Sequence, residues 1–143
     1  MTRIVFASWE RELLDELKVA RLGTVGVGGR PHLVPVCYAP VDGGAFAIAV
    51  DEKPKRGIAL ARLRNIAADS RISLLFDRYE DDWTRLAWVR VDGEASVLAR
   101  GELWPSALAA LRERYPQYSG MRLEELPMIV VRPVNITSWR WSG

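Results

Sequence analysis

Leu22-Gly23-Thr24-Val25-Gly26-Val27, then Gly28-Gly29, then Arg30-Pro31-His32-Leu33-Val34-Pro35-Val36-Cys37-Tyr38 is the stretch that decides the fold. Its residues follow a period of two, and the paired glycines supply the backbone freedom a tight reversal needs, so the segment reads as a β-hairpin. Pro31 and Pro35 have no N–H to give to a ladder, which puts the second strand at a sheet edge or a bulge.

The rest of the chain extends this β reading in both directions. Upstream, Ser8 stands as a helix N-cap, with Glu10 and Glu12 in the first turn and Trp9, Leu13, Leu14, Leu17 and Ala20 as one apolar stripe, which predicts a helix over 8–20. Downstream, Asp42-Gly43-Gly44 marks a turn, and the apolar run 45–50 reads as a strand buried on both faces. A charged segment from Asp51 to Gly57 precedes a helix over 58–68, with Ile58, Leu63 and Ile66 as its apolar members. Strands follow at 72–76, 86–91 and 94–98, with Asp92-Gly93 between the last two. A helix over 101–115, a short turn at 121–126 and closing strands at 128–131 and 136–141 complete the chain. There is no internal repeat, linker or βαβ alternation, so residues 1–143 read as one domain, mainly β with helices, an antiparallel barrel or sandwich.

Composition narrows the chemistry. The 143 residues are 49% hydrophobic and 27% charged, as in an ordinary globular domain. Twenty basic and 18 acidic residues leave a formal charge of +2, which exerts no general pull toward nucleic acid or a membrane surface. A single cysteine, Cys37, and a single histidine, His32, leave no intrachain disulfide and no thiolate or zinc cluster, so no metal site is expected. The longest stretch free of charge, Pro31 to Val41, falls short of the roughly 20 apolar residues of a membrane span. Met1-Thr2-Arg3 runs on to Trp9 and Glu10 without an apolar signal core, and a cytoplasmic location is expected.

Lys53, Lys55, Arg56, Arg62 and Arg64 place five cations in twelve positions with no acid before Asp69. At the start of a helix such a cluster offers cations and free N–H groups to a phosphate or carboxylate, or it is a solvated polar face. Trp83, Trp88 and Trp104, three of six tryptophans, can stack on a flat heterocycle or fill a core or a dimer seam. His32 has no Ser, Cys or acid at a spacing that makes a triad, and Cys37 reads as a small packed residue. Asp77, Glu80, Asp81 and Asp82 form either a carboxylate site or a solvated acidic loop. Gly23, Gly26, Gly28 and Gly29 do not match the dinucleotide fingerprint. With no protein-borne catalytic set, an enzyme built on this chain needs a cofactor for its chemistry.

Three stretches in order resemble the pyridoxamine 5′-phosphate oxidase-like flavin and deazaflavin superfamily. They are Leu22 to Val25 with Gly29-Arg30-Pro31-His32-Leu33-Val34-Pro35-Val36, then Arg62-Leu63-Arg64-Asn65-Ile66 with Asp69 to Leu75, and Val89-Arg90-Val91-Asp92-Gly93-Glu94-Ala95. The segment Tyr79 to Arg90 is similar to one small subgroup in the actinobacterial branch that uses coenzyme F420, a 5-deazaflavin. The resemblance implies a split β-barrel and a homodimer with two cofactor grooves at its interface. It further implies that Val34, Pro35, Val36 and Tyr38 line the cofactor ring, bordered by Ala49, Val50 and Asp51. Arg62 and Asn65 would take the phosphate end, and Lys55 and Arg56 the tail. The loop Lys53 to Gly57 is longer than in better-known members, and Ser70 stands where a proline is common.

On this resemblance the chain is an F420-dependent oxidoreductase that passes a hydride to an electron-poor double bond of a small organic substrate. Tyr38, solvent and His32 are the candidate proton donors, and no catalytic residue is assigned. The alternatives are an FMN enzyme and a non-catalytic protein that holds the cofactor or a tetrapyrrole. As a helix charge read as exposed, Arg62 should be replaceable by alanine at a stability cost of at most about half a kcal/mol.

Overall fold

The computed structural model describes residues 4–50, 58–98 and 104–143. Helix α1 (Ser8–Glu16) leads into strands β1 (Ala20–Val25), β2 (Pro31–Val36), β3 (Ala39–Val41) and β4 (Ala45–Ala49). Helix α2 (Ile58–Ala68), strands β5 (Arg71–Arg78) and β6 (Ala87–Leu98), helix α3 (Trp104–Arg114) and strand β7 (Met128–Arg140) follow. The strands form one antiparallel sheet in the order β2-β1-β5-β6-β7-β4-β3. Its two edges, β2 and β3, are consecutive in the chain and separated only by Cys37 and Tyr38. Three Cα steps span roughly 10 Å, so the sheet has to roll until its edges nearly meet. The result is the split β-barrel, mainly β with three helices, that the resemblance implied.

The inward faces of the rolled sheet make the core. Leu22, Leu74, Val89, Val91, Ile48 and Ile129 are buried there around Tyr38, Phe46 and Phe76. The Phe76 ring meets Tyr38 edge-on at 4.8 Å and Phe46 at 5.3 Å, within the range of favourable aromatic pairs. Leu13 and Leu14 of α1 and Ile66 of α2 join this core, while α3 packs Trp104, Leu108 and Leu111 on Ala39, Ala47 and Ala49 in a second cluster.

Several expected boundaries move, each for a local reason. Helix α1 stops at Glu16 because Leu17 is already extended and Ala20, fully buried, is needed opposite Val36 in the ladder. Its N-cap is Ala7, whose N–H donates to Glu10 Oε1 at 2.7 Å, and Ser8 is the first helical residue. Strand β3, missing from the sequence reading, carries a proline and is only three residues long. The strands expected at 86–91 and 94–98 are one strand, and so are those at 128–131 and 136–141. Asp92-Gly93 is a β-bulge where the β6–β7 register shifts, opposite Pro133, which has no N–H to pair.

Gly93 is required there by close approach. A Cβ on it would lie 2.4 Å from the carbonyl oxygen of Arg132, a backbone atom that cannot swing away. Gly93→Ala is therefore expected to cost about 2 kcal/mol or more, against less than about 0.5 for Gly120→Ala, which has open space around it. Chemical denaturation of the two variants measures this, and equal midpoints would remove the bulge from the account.

Candidate functional site

Thr24, Arg62 and Asn65 are three of the four buried polar or charged side chains among the described residues, and they belong to β1 and α2, which pack together. Arg62 and Asn65 are three positions apart and so share one face of α2, and Ile66 beside them enters the core. Arg64 points to solvent. Asn65 Nδ2 donates to Thr24 Oγ1 at 3.1 Å and fastens the helix to β1. One residue beyond β1, Gly26 donates its N–H to the Arg30 carbonyl at 2.7 Å, and an added Cβ there would lie 2.8 Å from that oxygen. The hairpin thus stays tight where it runs past Asn65.

Across the hairpin, His32 stands opposite Thr24 in register. Its Nδ1 is buried and has no hydrogen-bond partner. Strand β2 alternates, with Val36 buried, Val34 half-buried against the core, and Leu33 and Pro35 exposed on the other side. The predicted ring wall is therefore divided between two surfaces: Val34 and Val36 share a side with His32, and Pro35 does not. Ala49 and Val50 are buried. Asp51, Lys55 and Arg56, with Lys53, lie outside the described residues.

Tyr38 is a correction. It has no exposed surface, and its hydroxyl lies 2.6 and 2.7 Å from the carbonyl oxygens of Leu14 and Leu17. Burial pushes its pKa well above the ordinary tyrosine value, only partly offset by Arg114 nearby. A hydroxyl so placed neither lines a ligand groove nor delivers a proton to one. Arg62 corrects a second expectation, because only 4% of it is exposed.

Other predicted features resolve into structure. Asp82 accepts hydrogen bonds from the Thr84 N–H and hydroxyl, and Glu80 pairs with Arg85 at 2.5 Å, so these acids build the β5–β6 connection. Trp104 is core, and Trp83 is exposed. Trp88 stands beside Trp139 on the outer face of the sheet. That face carries a shallow groove of about 490 Å³ lined by Arg21, Leu33, Leu75, Tyr79, Trp88 and Arg90. The sequence reading passed over Thr24, whose one signal was a polar residue at an inward position of an apolar strand.

The arrangement is an apolar barrel with three of its four described buried polar or charged side chains gathered where α2 packs on β1. Residues 10–140 match the family model described as pyridoxamine 5′-phosphate oxidase. The chain belongs to that family. Among solved structures it is similar to the conserved hypothetical protein Rv2991 of Mycobacterium tuberculosis, at 22% identity and a TM-score of 0.74 over 98% of this chain and 88% of that one. It is also similar to HutZ, a heme storage protein of Vibrio cholerae, at 20% identity and a TM-score of 0.69 over 91% and 90% of the two chains. A FAD-binding protein of Mesorhizobium loti matches at 18% identity and a TM-score of 0.66 over 94% of each chain. Identities this low carry the fold alone. A search of the curated proteins finds no match.

The placement of Arg62 reverses the expected outcome of its truncation. Arg62→Ala is expected to lose about 1–3 kcal/mol of stability, because a buried stem and buried polar contacts go with it, whereas exposed Arg64→Ala stays within about 0.5. Melting curves of both variants measure the difference, and matching curves would show that Arg62 has no part in the fold.

Proposed function

We propose that this family member holds coenzyme F420 and reduces a small organic substrate with it. The observation that carries the reading is the buried polar face of α2, Arg62 and Asn65 with Thr24, at the site where the resemblance puts the phosphate end. These residues fit such a group: a guanidinium, an amide and a hydroxyl are the donors that phosphate oxygens take, and His32 adds a buried nitrogen with nothing bound to it. Val34, Val36, Ala49 and Val50 would supply apolar surface to the ring, and Lys55 and Arg56 would take the carboxylates of the tail. When bound, the reduced deazaflavin supplies a hydride to an electron-poor double bond. The chain's own work is to orient and to exclude water, since its buried tyrosine is committed elsewhere. Solvent then remains as the proton source.

Two alternatives draw on the neighbours. The FAD-binding protein favours a flavin such as FMN in the same place, and HutZ favours a non-catalytic holder of a tetrapyrrole. With one histidine in the chain, an imidazole ligand to heme iron would have to be His32. Titration of the purified protein with F420, FMN and hemin separates the three. Saturable quenching of F420 fluorescence is expected; binding of FMN or hemin with none of F420 would overturn the reading.

The proposal includes a homodimer. The outer groove leaves Leu33 and Tyr79 more than two-thirds exposed beside Trp88, apolar surface that a second copy would cover. Arg21 with Asp77 and Arg90 with Asp92 give that face charges of both signs, as a self-complementary contact requires. Light scattering is expected to give twice the 16.1 kDa of the chain, and a monomer at micromolar concentration would refute it.

A further inference from the structure

Buried polar atoms in folded proteins nearly always have a partner, so an orphan calls for a cause. His32 Nδ1 is such an atom. Asp77 Oδ1, which also lacks a hydrogen bond, at least faces Arg21 at 3.8 Å. His32 is the only imidazole in the chain, and the hairpin register places it directly opposite Thr24. Side chains opposite each other in an antiparallel pair share one face, with Cβ atoms roughly 5 Å apart. Thr24 Oγ1 in turn accepts a hydrogen bond from Asn65, which leaves the Thr24 hydroxyl its own proton to give. Polar side chains from β2, β1 and α2 thus stand in a row.

We infer that His32 is an anion-binding residue, its Nδ1–H donating to an oxygen of the phosphate group that Asn65 and Thr24 also serve. The inference rests on the proposed cofactor site and extends it to a residue outside the set that the resemblance supplied. A neutral imidazole carries one N–H, and an acceptor at Nδ1 selects the tautomer that puts it there. A donor hydrogen bond to a charged oxygen would satisfy the orphan atom. It also gives β2 a polar role beside its apolar one, since Val34 and Val36 follow His32 on the same side.

A single histidine makes the test direct, because the imidazole C2–H proton gives one resonance in the full-length chain. At fixed pH, F420 and, separately, inorganic phosphate are titrated into the wild-type protein while this resonance and the F420 fluorescence are followed. Both ligands are expected to shift the resonance saturably. His32→Leu is expected to weaken F420 binding about ten- to a hundredfold, the range for a lost hydrogen bond to a charged group. His32→Asn places an amide nitrogen near the Nδ1 position and should recover most of that loss, while melting curves verify that both variants fold. If F420 binds but the resonance stays still, or His32→Leu binds as tightly as wild type, the inference fails and the cofactor reading stands. If phosphate shifts the resonance while F420 does not bind, the anion site stands and the coenzyme is wrong. If neither ligand binds, both fall.

Discussion

The structure depends on a joint at Tyr38, where the chain leaves one edge of the sheet and enters the other. At this crossing the Tyr38 peptide has no ladder to join, and its groups are met by one side chain from α3's end: the N–H donates to Tyr115 Oη at 2.9 Å, and the carbonyl accepts from it at 2.8 Å. The Tyr38 hydroxyl then reaches the end of α1, where helical carbonyls have no partner of their own. Arg114 completes the joint. Its guanidinium donates to the carbonyls of Leu14, Asp15 and Leu17 and lies 4.7 Å above the Tyr38 ring, so a cation meets the negative end of the helix dipole. Barrel closure, the docking of α1 and the docking of α3 therefore share one set of hydrogen bonds.

That joint also explains where a ligand can go. Tyr38, Phe46 and Phe76 fill the barrel, and the smaller cluster under α3 is equally apolar. Neither has a place for an anion, because transferring charge there without a partner costs several kcal/mol. Three of the four buried polar or charged side chains among the described residues instead gather where α2 lies on β1. A helix carrying Asn65 inward needs a strand that offers it a partner, and the Thr24 hydroxyl is that partner. The position of the candidate site thus follows from the packing of the rest.

Much of this was legible in the sequence where one physical signal acted alone. The bounds of α2 followed from helical spacing between a charged segment and Asp69, and the hairpin from its glycines and alternation. Where one signal has two structural meanings, the reading failed. Asp-Gly marks a turn or a bulge, and only the crossing of Arg132 over Gly93 decides between them. A tyrosine ending an apolar strand faces ligand or core according to what packs on it, and Arg114 and Tyr115 lie more than seventy positions away. Arg62 reads as solvated because charge usually is; its burial comes from the docking of α2 on β1 and β6, contacts between segments distant in the chain. The buried nitrogen of His32 gave no sequence signal at all.

Strand β2 concentrates the remaining constraint. Its period of two sends His32, Val34 and Val36 to one side and Leu33 and Pro35 to the other, so one strand faces both the candidate site and the outer groove. It is also an edge, held through β1 alone and carrying two prolines that donate no ladder bonds. Gly23 beside it, whose missing Cβ leaves room for Leu33 at 3.2 Å, gives that strand close support from one neighbour only. A second copy seated over Leu33 and Trp88 would back the strand from outside and hold His32 at a fixed distance from Thr24. Association and ligand affinity would then be linked, because whatever steadies β2 on its outer face reduces the ordering that binding on its inner face has to impose.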